Sequence, residues 1–376
     1  EEWPEEGPPL DWVYRDAGLG YSGPAIVGDR IYLMGARKRK EYLLALDAAS
    51  GKPLWSTEMG DRYENNWGNG PRGTPTVDGD LVYGLSGYGD LVCAKCTSGE
   101  VVWQIALEDF GGKLPVWGFA ESVLVDGNRV IVTPGGDRGA ILALDKRTGK
   151  PLWQSEEITE PAHYSSAVPF TLNGKRQIAQ LFPEQLVGVD ADSGKVLWSV
   201  PWEGRIAVIP SPVVSGNKIY VTSGYGVGCM LVVLETSEGS DRIQPREAYR
   251  NKLMKNHHGG VLLHDGHLFG YSDGVGWLCQ DLESGDEVWN ERGALGKGAV
   301  TCADGKLYCI DETTGKVMLV DATTTGWTPR GEFTLTPQTT HRKPDGRIWT
   351  HPVVSQGKLY LRDQELFYCF DVTASP

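Results

Sequence analysis

The sequence of 376 residues has no apolar stretch approaching the roughly 20 residues that a membrane-spanning helix needs, which excludes a helical transmembrane segment. It has no run of Lys and Arg longer than Arg37, Lys38, Arg39 and Lys40, and its formal net charge is −13, so a nucleic-acid partner is not expected. No two cysteines are adjacent, there is no CxxCH haem-attachment motif, and of seven cysteines only Cys93 and Cys96 lie close together; a full disulfide framework and a zinc site of two paired knuckles are both excluded. Apolar periodicity of helical length is missing throughout, which removes bundle and Rossmann readings. The chain begins at Glu1 without Met or a signal peptide and is expected to be a mature or truncated form.

Gly (49 residues), Tyr (15) and Trp (13) are abundant, a composition that favours short strands joined by tight turns. Five segments align without gaps: LLALDAASGKPLW from Leu43, LVCAKCTSGEVVW from Leu91, ILALDKRTGKPLW from Ile141, LVGVDADSGKVLW from Leu186 and WLCQDLESGDEVW from Trp277. Worn copies are present at VLETSEG, MLVDATTTG and FYCFDVT. The acidic site of the motif then falls at Asp47, Lys95, Asp145, Asp190, Glu235, Asp281, Asp321 and Asp371, with spacings of 48, 50, 45, 45, 46, 40 and 50 residues. A period near 40 to 50 residues is that of a four-stranded blade, and eight copies predict an all-β, eight-bladed β-propeller.

Within each unit the apolar run is a strand, Asp-x-x-Ser/Thr-Gly supplies the turn, and the residues ending in Trp form the next strand. A second hairpin with an Asp-Gly or Gly-Asn turn precedes it, as in PTVDGDLVYGL and SPVVSGNKIYV. Trp55, Trp103, Trp153, Trp198 and Trp289 share one phase and are expected to pack between neighbouring sheets. Cys93, Cys279 and Cys369 also share a phase and read as buried strand residues. The last unit lacks its outer strand, whereas residues 10–15 (LDWVYR) carry Trp12 at the matching phase; they are expected to close the ring as part of a single propeller domain spanning 10–376. Residues 1–9, with Glu1, Glu2, Glu5 and Glu6, are expected to be a solvated tail.

ALDAASGKPLW and ALDKRTGKPLW resemble the PQQ-like repeat of quinoprotein alcohol dehydrogenases and of the outer-membrane assembly factor BamB. Nearly the whole chain is similar to it, and the resemblance is greatest to bacterial extracytoplasmic proteins labelled polyvinyl-alcohol dehydrogenase. It implies an eight-bladed ring and a periplasmic or secreted location. It also implies, for the dehydrogenases, a quinone held on a disulfide between adjacent Cys residues, above a Trp and near a calcium ion. The adjacent pair is absent here, so PQQ with calcium remains only as a cofactor with altered contacts. BamB-like relatives imply instead a protein-docking scaffold.

Strand order places the entries into the inner strands, and the loops joining the second and third strands, on one face around a channel. Those entries hold His163, His257, His258 and His351 together with Tyr164, Arg72, Glu121, Lys255, Lys297, Trp117 and Trp349. The second-to-third-strand loops add Asp90, Asp137, Glu184, Asp273 and Asp363, so imidazoles, cations and carboxylates are expected to meet in one mouth, where pKa values shift. His163, Tyr164, His257, His258, Lys297 and His351 are candidates for proton transfer; Arg72, Trp117, Glu121, Lys255 and Trp349 are candidates for holding a carbohydrate, polyol or alcohol-like ligand. A divalent metal on the imidazoles is an alternative. So is an inert channel whose polar groups satisfy one another and ordered water. His264, His267 and His341 read as surface residues, and a monomer is expected.

Overall fold

In the computed structural model, which describes residues 2–236 and 242–373, the chain forms eight four-stranded antiparallel sheets arranged as an all-β propeller. The blades span residues 25–61, 76–106, 124–154, 168–201, 213–251, 261–291, 298–334 and 353–371. The eighth blade is completed by Leu10–Tyr14, which pairs with Leu366–Asp371. The middle strands are nearly continuous apolar runs because each is covered by a neighbouring blade on both faces. Arg30–Arg37, for example, is buried along its whole interior, whereas the outer strand Pro53–Asp61 is mostly open to solvent.

The motif explains its own turn. Asp47 Oδ1 accepts from Ser50 N at 2.8 Å and Asp190 Oδ1 from Ser193 N at 2.9 Å, a side-chain cap that pulls both carboxyls below their ordinary pKa. Lys95 breaks the pattern and instead pairs with Glu100 at 2.8 Å. The turn glycine has a second task. Gly51 (φ +68°) and Gly99 (φ +72°) are each so close to an indole of the preceding blade, Trp12 and Trp55, that a methyl group would lie 2.5 Å from the ring. Indoles of this phase also donate across the blade boundary: Trp55 Nε1 to Cys96 O at 2.9 Å and Trp103 Nε1 to Lys146 O at 3.0 Å. Trp12 faces Cys369 as Trp103 faces Cys93, so the closing strand is in register with the repeat.

Three details depart from the regular repeat. Trp198 is buried in the core between the fourth and fifth blades as expected, but its ring lies over Gly188 and its Nε1 donates within its own blade, to Gln177 Oε1 at 2.9 Å. In the fifth blade the register shift falls between Leu231 and Val232, which makes Val233, not Glu235, the equivalent of the acidic site. That hairpin is longer than its neighbours, and its expected turn, 237–239, lies outside the described residues. Its bridging aromatic is Tyr249, whose hydroxyl donates to Leu282 O at 3.0 Å.

The N-terminus is the third departure. Glu1 lies outside the described residues, but residues 2–9 are not a solvated tail. Trp3 is buried against Tyr308 and Phe333, over Gly331 of a seventh blade whose outer strand lacks an aromatic at that position. Trp3 N donates to Arg330 O at 2.7 Å, and Glu2 pairs with Arg330 at 2.8 Å. Because Trp3 packs on the seventh blade from outside its four-stranded sheet, Trp3→Ala is expected to cost about 1–2 kcal/mol, less than a fully buried Trp truncation. Hydrogen exchange is expected to lose protection at Trp3 N while strands of the opposite blades are unchanged; uniform loss would show that the strap holds the whole ring.

Candidate functional site

Each blade begins with a short inner strand, so the residues entering that strand line the central channel. At one mouth they enclose a cavity of about 570 Å³. Its wall contains Tyr21, Arg72, Trp117, Tyr164, His257, His258, Trp349 and His351 from six different entries, with Trp67 from the same segment as Arg72 and Tyr225 from a second-to-third-strand loop. The floor is a relay of hydroxyls. Thr74 N donates to Ser122 Oγ (2.9 Å), Ser122 N to Ser166 Oγ (2.9 Å) and Ser166 N to Ser211 Oγ (3.1 Å), so each serine ties its blade to the preceding one.

The imidazoles occupy the opposite side. His257 and His258 stack with centroids 4.0 Å apart, and Tyr225 meets His257 edge-on at 4.5 Å. Lys297 Nζ lies 2.9 Å from His257 Nδ1 and 2.8 Å from Asp273. A charged ammonium can only donate, so the proton of His257 belongs on Nε2. His351 Nε2 lies 2.8 Å from His258 O, a carbonyl that only accepts, so His351 carries its proton on Nε2 and a lone pair on Nδ1. His258 Nδ1 approaches Glu312 at 3.4 Å, and the same carboxylate accepts from Trp349 Nε1 at 3.1 Å. Burial lowers the pKa of all three imidazoles, His257 to about 4, with Lys297 adding repulsion at His257 and His258; burial also raises Glu312 to about 7. At neutral pH the imidazole side of the wall is uncharged.

Across the cavity, Arg72 is clasped between the rings of Tyr63 (4.7 Å) and Tyr21 (5.6 Å), and it donates to Gly70 O at 2.6 Å and Gly68 O at 2.9 Å. Trp349 packs on Tyr21 at 5.0 Å, and Trp117 on Tyr164 at 5.8 Å.

Not every expected residue reaches this wall. His163 accepts from Val208 N at 3.2 Å and is held neutral by burial, which lowers its pKa to about 4. Glu121 is buried between blades, accepting from Thr133 N at 2.6 Å. Lys255 meets Ser272 through its backbone, and Lys297 stands one layer behind His257. Of the loop carboxylates only Asp273 joins the cluster; Asp363 pairs with Arg342 at 2.6 Å, Asp137 with Lys113, Asp90 bonds Ser86, and the backbone of Glu184 bonds Glu160. The residues that sequence reasoning missed are Glu312, Tyr225, Tyr21 and Trp67. Glu312 and Tyr225 occupy the same class of loop as Asp273, which is the signal that would have found them.

The site does not fit the quinone of the related dehydrogenases as that family holds it. All seven cysteines are free, and among the described residues neither a cysteine nor a carboxylate lines the cavity. Among the described residues no group of three or more His, Cys, Asp or Glu side chains is placed to hold a metal ion, so the adjacent imidazoles do not form the core of one. No helix among the described residues is long and apolar enough to cross a membrane.

The family model described as outer membrane protein assembly factor BamB, of the PQQ-like repeat type, matches residues 39–291. Over 243 residues, 54% of this chain, the sequence is 26% identical to the outer membrane protein assembly factor BamB of Burkholderia pseudomallei (strain K96243); the match spans 62% of that protein, less than two thirds. Among solved structures, BamB from Moraxella catarrhalis superposes with a TM-score of 0.69 at 14% identity, covering 98% of each chain. The quinohemoprotein alcohol dehydrogenase from Comamonas testosteroni gives a TM-score of 0.59 at 12% identity, covering 98% of this chain and 77% of that one. These structural likenesses show a shared fold, and the family match, which covers most of the eight-bladed ring, shows that the chain belongs to the PQQ-like, BamB-type β-propeller family.

Proposed function

We propose that this protein is a periplasmic or secreted propeller that binds a small hydroxylated molecule, a carbohydrate, polyol or other alcohol-like compound, at the channel mouth. The observation that carries this reading is the cavity of about 570 Å³, with aromatic rings on both sides and a few convergent polar groups. That is the size and composition of small-molecule sites, where apolar faces supply affinity and polar groups set orientation. Imidazoles kept neutral by burial serve better as hydrogen-bonding groups than as proton stores, so the reading is binding before turnover.

Titrating the purified chain with sugars and polyols is expected to give saturable thermal stabilisation of a few degrees and a change in tryptophan emission, since Trp67, Trp117 and Trp349 line the cavity. His258→Ala and Trp349→Ala are each expected to weaken binding about tenfold or more by removing a ring and the partner of Glu312.

A protein-docking scaffold is the second reading. It is favoured by the family match and by apolar residues left open on loops beside the cavity, among them Val116 (73% exposed) and Ile206 (57%). Silence across the ligand panel, with His257→Ala and His351→Ala both without effect on partner binding, would favour it.

A further inference from the structure

The cavity is charged on one side only. Among the described residues Arg72 is the sole wall residue with a formal charge at neutral pH, in a chain whose net charge is −13. Among the described residues it has no carboxylate within ion-pair range, and only two of its five N–H donors are used by the carbonyls of Gly68 and Gly70. The nearest acidic influence, Glu41, is committed elsewhere, accepting from Gly87 N at 2.8 Å and Tyr63 N at 3.0 Å. Tyrosine faces compensate a guanidinium weakly, whereas an unpaired cation at a part-desolvated wall is the standard recognition element for a carboxylate.

The floor adds to this. Ser122, Ser166 and Ser211 each spend an oxygen lone pair on a backbone N–H, and among the described residues none donates its own hydroxyl proton. Three O–H donors and the guanidinium therefore share one cavity with the lone pair of His351 Nδ1 on its far side. Donors surround one part and an acceptor waits in the other, which matches a molecule with an anionic end and hydroxyls along its body.

Resting on the binding reading above, we infer that the ligand is a sugar acid or related hydroxy acid whose carboxylate docks on Arg72, with its hydroxyls toward the imidazoles. Calorimetric titration of the full chain with a hexuronate and with its parent hexose tests this. The uronate is expected to bind about tenfold tighter or more, with an advantage that shrinks as salt is raised. In Arg72→Gln the preference is expected to vanish, with the uronate binding no tighter than the hexose. Should R72Q fail to fold, R72K keeps the charge without the bidentate fork and is expected to lose most of the preference. Equal or tighter binding of the hexose by the native chain overturns this assignment while leaving the sugar-binding reading intact. A full preference retained by either folded variant also overturns it, and binding of neither compound overturns both.

Discussion

Replacing Arg362 with Met is expected to lower the unfolding free energy by about 5 kcal/mol, because it strips donors from four buried carbonyls at once. Arg362 is 1% exposed. Its Nε donates to Gln364 O (2.8 Å), Nη1 to Ser22 O and Met34 O (2.7 Å each) and Nη2 to Gly18 O (2.9 Å). Gln364 belongs to the last blade, Met34 to the first, and Gly18 and Ser22 to the segment between the closing strand and the first blade. The residue therefore rivets the boundary between the last blade and the first, fastening the C-terminal strands to the segment that leads from the closing strand into the first blade. Desolvation pulls the guanidinium pKa down to about 9, a cost tolerated because the planar fork matches several carbonyls. Arg362→Lys keeps a cation but supplies three donors without that geometry, and is expected to recover less than half of the loss. Urea unfolding followed by tryptophan emission measures both. A loss below about 1 kcal/mol for Arg362→Met would mean that water replaces the donors and that the strand Leu10–Tyr14 alone carries the closure.

The ring itself was legible in the sequence because a propeller is one supersecondary unit repeated, so period, turn chemistry and aromatic phase all report the same thing. Trp12 could be assigned to the eighth blade because its phase matched Trp103 and Trp55, and it faces Cys369 as they face Cys93 and Ala45. Trp3 escaped for the converse reason. It stands in no repeat, lies among acidic residues, and finds its place only because Gly331 leaves room on the seventh blade. Trp198 packs at the blade boundary as its phase predicts, but phase cannot show that Gly188 opens a slot on the same sheet, which turns the indole N–H to Gln177 of its own blade.

The site was legible as a set of segments and less so as a set of side chains. Topology alone says that inner-strand entries face the channel, and Arg72, Trp117, Tyr164, His257, His258, Trp349 and His351 from those entries line the cavity. Which side chain of an entry turns inward depends on strand alternation and irregular backbone. The seventh entry thus offers Val300 to the cavity and leaves Lys297 behind His257. Glu312 was hidden in a turn, DETTG, that looks like the structural motif of the repeat. Its Asp311 indeed caps that turn, accepting from Thr314 N at 2.9 Å, while the neighbouring glutamate serves Trp349.

Glu121→Gln is expected to stabilise the protein by about 2 kcal/mol near pH 8 and to have little effect near pH 5, whereas Glu41→Gln is expected to destabilise it at both. Burial raises both carboxyls to about 7. An acid whose folded pKa exceeds its unfolded value binds its proton more tightly when folded, so it adds stability as pH falls through about 7 and costs stability above that. Glu121 uses one oxygen, Oε1, on Thr133 N, and among the described residues its Oε2 is buried without a partner; an uncharged amide keeps the one bond and removes the buried charge. Glu41 differs in needing both oxygens as acceptors, one for Gly87 N and one for Tyr63 N. An amide there would set its NH₂ against a backbone donor. His163, His257, His258 and His351 act in the opposite direction, since burial depresses their folded pKa values below the ordinary 6.5 and stability is lost as pH falls below that. The native protein should therefore be most stable near pH 6 to 6.5, with the alkaline limb set by glutamates and the acid limb by histidines. Chemical unfolding across that range decides the matter. If Glu121→Gln leaves the alkaline limb as steep as before, the Glu121 carboxyl is ionised in the fold at little cost, and the orphaned oxygen takes a hydrogen bond from the neighbouring hydroxyl of Thr133.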